Sequence, residues 1–161
     1  MTAPSIQSQD IKIAELFQAF YSVPDYQREY VWESTQVEQL LGDINGELSG
    51  KSPDAAAEYF IGSIVVCPGK DGVLELIDGQ QRMTTLFITL CAVRDRMKEL
   101  GAQPPRALAP QIADSSTDAF GKDRFSYRLV FSMRIAAIFW CASRMATFPP
   151  RTSGRARWQT S

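Results

Sequence analysis

The sequence predicts an α+β domain built on a β-hairpin over residues 59–77 and flanked by amphipathic helices. Two runs of strand-forming residues, Tyr59 to Cys67 and Val73 to Ile77, are joined by the turn-forming Pro68-Gly69-Lys70-Asp71-Gly72. Helix-period apolar residues precede the hairpin (Val37, Leu40, Leu41, Ile44, Leu48) and follow it (Met83, Leu86, Phe87, Leu90, Val93, Met97, Leu100). A chain of 161 residues that is 45% hydrophobic is large enough to enclose one core.

Taken in order, Ile11-Lys12-Ile13 alternates like a short edge strand, and Ala14 to Phe20 reads as a short helix with Leu16, Phe17 and Phe20 on its apolar face. Pro24 stops that helix and biases the next residues towards extended backbone. Thr35-Gln36-Val37-Glu38 has the pattern of a capping box, opening a core-packing helix whose Glu38, Asp43 and Glu47 face outward. Gly50 to Asp54 and the alanine run after it form a loop. The continuous apolar character of Tyr59 to Cys67 predicts a strand buried on both faces, interrupted at Gly62-Ser63 by a bulge or a close backbone approach. The hairpin then returns antiparallel and delivers Asp78 to the sheet edge. The following helix places Arg94, Arg96 and Lys98 near its C-terminal end, where cations complement its dipole, and closes at Gly101 before Pro104-Pro105. Ser115 to Lys122 reads as a polar loop.

Composition removes whole classes of chemistry. The chain has no histidine, which excludes Ser-His-Asp and Cys-His nucleophile systems and histidine-ligated zinc. Cys67, Cys91 and Cys141 form neither a disulfide framework nor a metal pair. A net charge of −1 provides no global basic field for nucleic acid. The polar N-terminus has no signal-peptide pattern, and the apolar run Ile135 to Ala142 is too short to span a bilayer. A cytoplasmic protein with no membrane partner is expected.

The chemistry concentrates in two stretches. Asp78-Gly79-Gln80-Gln81-Arg82-Met83-Thr84-Thr85-Leu86 joins a strand to a helix start. That order sets unpaired backbone N–H groups beside a carboxylate, two amides and a guanidinium, an arrangement suited to phosphate. A plain βα turn with a surface ion pair is the structural alternative. Val23 to Trp32 holds Gln27 and Arg28 among Tyr26, Tyr30 and Trp32. Read functionally, the segment is a second pocket wall with Arg28 on phosphate. Read structurally, the aromatics are core anchors and Arg28 pairs with Glu29 or Glu33.

The Asp78-Gly79-Gln80-Gln81-Arg82 stretch followed by Thr84-Thr85-Leu86, and the Pro24, Tyr26-Gln27-Arg28, Tyr30, Trp32 pattern, resemble the GmrSD-type restriction endonuclease N-terminal domain family. Gly62-Ser63 and Tyr127-Arg128-Leu129 are similar to further family positions. The resemblance implies a nucleotide-binding domain of the ParB/sulfiredoxin-like fold with a small mixed sheet. It also implies nucleoside triphosphate binding and hydrolysis with Mg²⁺ or another divalent cation, within a modification-dependent DNA restriction system acting in phage defence. On this reading Asp78, Gln80, Gln81 and Arg82 are the catalytic candidates, with Asp78 also the metal candidate. Gln27, Arg28, Ser63, Gly79, Thr84 and Thr85 are the nucleotide-binding candidates. Tyr30 and Trp32 are mainly structural. DNA would be reached through a separate HNH-type nuclease partner, because a chain without histidine does not cut DNA by that route.

Two alternatives stand beside the hydrolase: a nucleotide- or DNA-binding switch module without turnover, and an inactive truncated fragment. The domain is expected over residues 1–130, incomplete at its C-terminal side, with 131–161 an atypical basic tail that is out of frame or disordered. No acidic residue follows Asp123, and Met133 to Trp140 has no matched face.

Overall fold

The computed structural model describes residues 6–49, 59–117 and 123–131. The elements run α1 (Ile13–Leu16), β1 (Tyr21–Val23), α2 (Ser34–Leu48), β2 (Val65–Pro68), a 3-10 turn (Lys70–Gly72) and β3 (Leu74–Asp78). They continue with α3 (Gln80–Glu99), α4 (Leu108–Ile112), β4 (Ala113–Thr117), β5 (Asp123–Tyr127) and β6 (Leu129–Phe131). The architecture is α+β with a small mixed sheet, in the order β2-β3-β1-β6, and a separate β4-β5 hairpin.

The central sheet decides where the chemistry lies. Strand β1 is parallel to both neighbours, pairing Tyr21 with Leu74 on one side and with Leu129 on the other. Strand β2 is antiparallel to β3, as the hairpin requires. Strands β1, β3 and β6 therefore end at the same edge of the sheet. The segment from Pro24 to Arg28 leaves that edge after β1, and Gly79 to Arg82 leaves it after β3.

The core is packed between this sheet and α3. Leu16, Phe17, Tyr21, Val23, Leu76, Met83, Phe87, Ile112 and Leu129 are buried in one cluster. The Phe17 and Phe87 rings meet at 5.6 Å between centroids, tilted by 51°. The Tyr21 hydroxyl, buried among these groups, donates to the Leu16 carbonyl at 2.8 Å. Arg128 ties the periphery together. Its guanidinium lies 4.3 Å from the Phe20 ring centroid and donates to the carbonyls of Gln18 and Pro110, both at 2.9 Å.

Several local expectations are corrected. Ile11-Lys12-Ile13 forms no strand; Ile13 opens α1, and the first strand is Tyr21–Val23. Its parallel neighbours extend the chain after Phe20, where local sequence carries no period-two signal. Helix α2 starts one residue before Thr35, with Glu33 as N-cap, and the Gln36 side-chain oxygen accepts the Glu33 N–H at 3.1 Å. Its face is only partly covered: Leu40 is buried, Leu48 is exposed and Glu47 is half-buried.

The strand expected over Tyr59 to Cys67 is confined to Val65–Pro68 and lies at the sheet edge, with Val65 and Val66 exposed rather than buried on both faces. Gly62, at φ +94°, lies in the irregular stretch that precedes it. In α3 the buried stripe is steeper than expected. Thr84, Thr85 and Cys91 are buried, whereas Val93 and Leu100 are exposed, because only the first half of the helix crosses the sheet. Gly101, at φ +71°, closes α3 as expected. Ser115 to Thr117 belongs to β4 instead of a loop, and Arg128 lies between β5 and β6. The expectations for residues 50–58, 118–122 and 132–161 fall outside the described residues.

Burial pushes the Cys91 thiol from its ordinary 9.0 up to about 11, assisted by Asp95 and opposed by Arg94. The folded chain thus keeps this proton where the unfolded chain has released it. Stability is expected to be unaffected by Cys91 below pH 9 and to fall as pH rises from there towards about 11. Denaturant unfolding at stepped pH checks this, with a shallower decline expected in Cys91→Ala.

Candidate functional site

The carboxyl edge of the parallel strands brings both predicted motifs together. Strand β3 ends at Asp78, and Gly79 turns the chain into α3 with φ +88° and ψ +10°. A side chain at Gly79 would also sit 3.0 Å from Ile64 Cγ1 and 3.3 Å from the Ser63 carbonyl oxygen, so both backbone angle and space call for glycine. The first intrahelical bond runs from Met83 N–H to the Gly79 carbonyl at 2.9 Å. The N–H groups of Gln80, Gln81 and Arg82 precede it in the first turn and have no intrahelical acceptor. No side chain caps this end. Gly79, Gln80 and Gln81 are nevertheless buried.

Gln81 joins the two motifs. Its Oε1 accepts the N–H groups of Val31 at 2.8 Å and Trp32 at 3.2 Å, while its Nε2 donates to the Glu29 carbonyl at 3.1 Å. A side-chain amide, holding donor and acceptor at one end, can bind a passing backbone in this two-sided way. One turn on, the Thr85 hydroxyl donates to the Gln81 carbonyl at 2.8 Å and accepts from the Tyr30 hydroxyl at 2.9 Å. Gln27 Nε2 donates to the Ile77 carbonyl at 3.2 Å. Residues 27–32 are therefore fastened along the end of β3 and the first turns of α3. The Tyr30 hydroxyl takes part in this fastening, and Trp32 does so through its backbone N–H.

The remaining groups are differently placed. Arg82 is half-buried, and its Nη1 donates to the Ile61 carbonyl at 2.9 Å. Among the described residues it has no ion pair. Arg28 is exposed and likewise without an ion pair among them, so neither Glu29 nor Glu33 takes the guanidinium. Gln80 Nε2 and Thr84 Oγ1 lie on successive turns of α3, buried and without a hydrogen-bond partner among the described residues. Asp78 and Ser63 are exposed, and the Ser63 carbonyl borders Gly79.

These placements sort the predicted site residues by what each leaves available. Gln81 and Thr85 are engaged internally, and Gln27 has one amide N–H engaged. Arg82 retains its other N–H groups. Gln80 Nε2, Thr84 Oγ1, Arg28 and Asp78 keep donors or acceptors for a ligand. The donor set suits an anion with several oxygen acceptors. Among the described residues no group of three or more His, Cys, Asp or Glu forms a metal cage, and Asp78 is the one carboxylate of the turn. Asp78 is thus the one carboxylate that this turn offers to a divalent cation.

Sequence reasoning missed the bridging roles of Gln81 and Thr85, and the carbonyl of Ile61 as the Arg82 partner. Backbone acceptors have no sequence pattern. The aromatic-rich segment 26–32, which needs anchoring once it leaves the sheet, was the available signal for the bridge.

The family model for the GmrSD restriction endonuclease, N-terminal domain, matches residues 8–137. The match includes both motifs and extends past Val130. No curated protein matches the chain.

Replacing Gln81 by Ala leaves the Glu29 carbonyl and the Val31 and Trp32 N–H groups unpartnered, and is expected to destabilise the fold by about 2 kcal/mol. Faster amide exchange at Val31 and Trp32 should accompany the loss. Unchanged exchange at both amides would show that the segment is held by other contacts.

Proposed function

The chain belongs to the GmrSD restriction endonuclease N-terminal domain family, a restriction-system component, and from that premise we propose that it binds and hydrolyses a nucleoside triphosphate at the carboxyl edge of β1 and β3. The observation that carries this reading is a buried, uncapped helix start beside a half-buried arginine with no ion pair among the described residues. Either feature costs stability in an isolated protein. A missing N-cap bond is worth about 1 kcal/mol, and a partly buried charge prefers a counter-charge. A triphosphate satisfies both at once, through the first-turn N–H groups and the free edge of the Arg82 guanidinium.

The other residues follow from this placement. Arg28, at the mouth of the same edge, meets the outer phosphate oxygens. Gln80 and Thr84 supply the unpartnered buried donors, and Ser63 borders the turn. Asp78 orients the attacking water or ligates a divalent cation that, when bound, neutralises phosphate charge. Gln81 acts by holding residues 29–32 against the helix rather than by contacting phosphate. Phosphoryl transfer depends mainly on positioning and charge stabilisation, so a site without histidine is chemically sufficient.

The domain then serves as the nucleotide-driven sensor of a modification-dependent defence system. DNA cleavage is assigned to an HNH-type nuclease partner, which this histidine-free sequence does not provide. A binding switch without turnover is the second reading. The engagement of the Gln81 amide by backbone favours it, since one of the two glutamines able to orient water is already occupied.

Nucleoside triphosphate binding and turnover by the purified chain with Mg²⁺ test the proposal. Arg82→Ala is expected to weaken binding by about tenfold or more, the loss of one charge-assisted contact of 1.5–3 kcal/mol. Asp78→Ala is expected to abolish turnover while retaining much of the affinity. Binding with no turnover in the unsubstituted chain selects the switch reading, and no binding by folded protein removes both.

A further inference from the structure

Gly62 lies in the irregular stretch before β2, with φ +94°. A Cβ built there would overlap Arg82 Nη1 and stand 2.9 Å from Arg82 Cζ. The same guanidinium is held by the neighbouring carbonyl, with Nη1 donating to Ile61 at 2.9 Å. The arginine thus rests in a space that exists only because residue 62 has no side chain. Gly72 has a similar backbone angle, φ +77°, yet a Cβ there would meet nothing within 4 Å. Left-handed backbone alone therefore does not distinguish Gly62; the arginine does.

We infer that Gly62 is a positioning residue for Arg82. The bare backbone at Gly62 and the Ile61 carbonyl together fix the plane of the guanidinium, committing one edge to the chain and directing the remaining N–H groups to an anion at the α3 start. A guanidinium offers its donors in a rigid fork, so anchoring one nitrogen orients the others. Held this way, Arg82 loses little rotamer freedom on binding phosphate. The functional consequence rests on the phosphate reading of the site, whereas the positioning itself is a property of the ligand-free chain.

The test is a double-mutant cycle read in two ways. In denaturant unfolding, Gly62→Ala is expected to destabilise more than Gly72→Ala, because beyond the same backbone penalty its Cβ displaces the Arg82 guanidinium from the Ile61 carbonyl. The loss in Gly62→Ala/Arg82→Ala is expected to fall short of the sum of the two single losses, because the guanidinium contact that Gly62→Ala breaks is already gone in Arg82→Ala. Additive losses in the cycle would overturn the positioning. The binding arm uses inorganic tripolyphosphate as probe. Gly62→Ala is expected to weaken its affinity by about tenfold, Gly72→Ala by less than about twofold, and the double variant no further than Arg82→Ala. Equal losses for Gly62→Ala and Gly72→Ala would also overturn it. If the unsubstituted chain binds neither tripolyphosphate nor nucleotide, the proposed function fails, and the stability cycle still decides the role of Gly62. If Gly62→Ala does not fold, folding of Gly72→Ala supports the inference and its failure contradicts it.

Discussion

The Gln81 amide, bonded on both sides to the backbone of residues 29–32, is the interaction on which the site depends. Parallel pairing of β1 with β3 brings two chain segments to one sheet edge, but strands of three and five residues do not determine where the following loops go. Gln81 does. It stands in the first turn of α3 and takes three backbone partners from the segment that follows β1. Thr85 and Tyr30 repeat the fastening one turn further on, and Gln27 ties the segment back to β3. What results is a helix start with a fixed wall on one side and the edge of β2 on the other.

Within that frame, violations of ordinary folding rules crowd into one place. The helix start is buried and uncapped, an arginine is half-buried without an ion pair among the described residues, and two buried polar atoms lack partners. Each opposes stability by about 1–3 kcal/mol in a protein that needs only its fold. Elsewhere among the described residues polar groups are met: the buried Tyr21 hydroxyl by Leu16 and the half-buried Arg128 guanidinium by two carbonyls and a ring. Local conflict against a background of satisfied groups is the physical mark of a ligand site.

Much of this was legible in the sequence, and what was not has identifiable causes. The antiparallel return into β3, the two long helices and the glycine stop at Gly101 follow from periodicity and turn chemistry and appear where expected, whereas the first hairpin strand is shortened to Val65–Pro68. The five residues from Asp78 to Arg82 were recognisable as a strand-to-helix turn. Strand β1 was not, because three residues between a short helix and Pro24 are held by non-local pairing alone. Apolar content overstated the burial of Val65 and Val66, which occupy an edge strand, and of Val93 and Leu100, where α3 has passed the sheet. The residue types of the site could be read in advance. Which amide is bonded to backbone and which is left without a partner among the described residues could not, since Gln80 and Gln81 are neighbours with opposite outcomes.

The most direct test of the central claim is a map of backbone amide shifts as a nucleoside triphosphate is titrated into the isotope-labelled chain. Binding at the helix start predicts the largest perturbations at Gly79, Gln80, Gln81 and Arg82, with Arg28 following and the β4-β5 hairpin unmoved. Perturbations centred away from the carboxyl edge of β1 and β3, with the α3 start unchanged, would contradict the account.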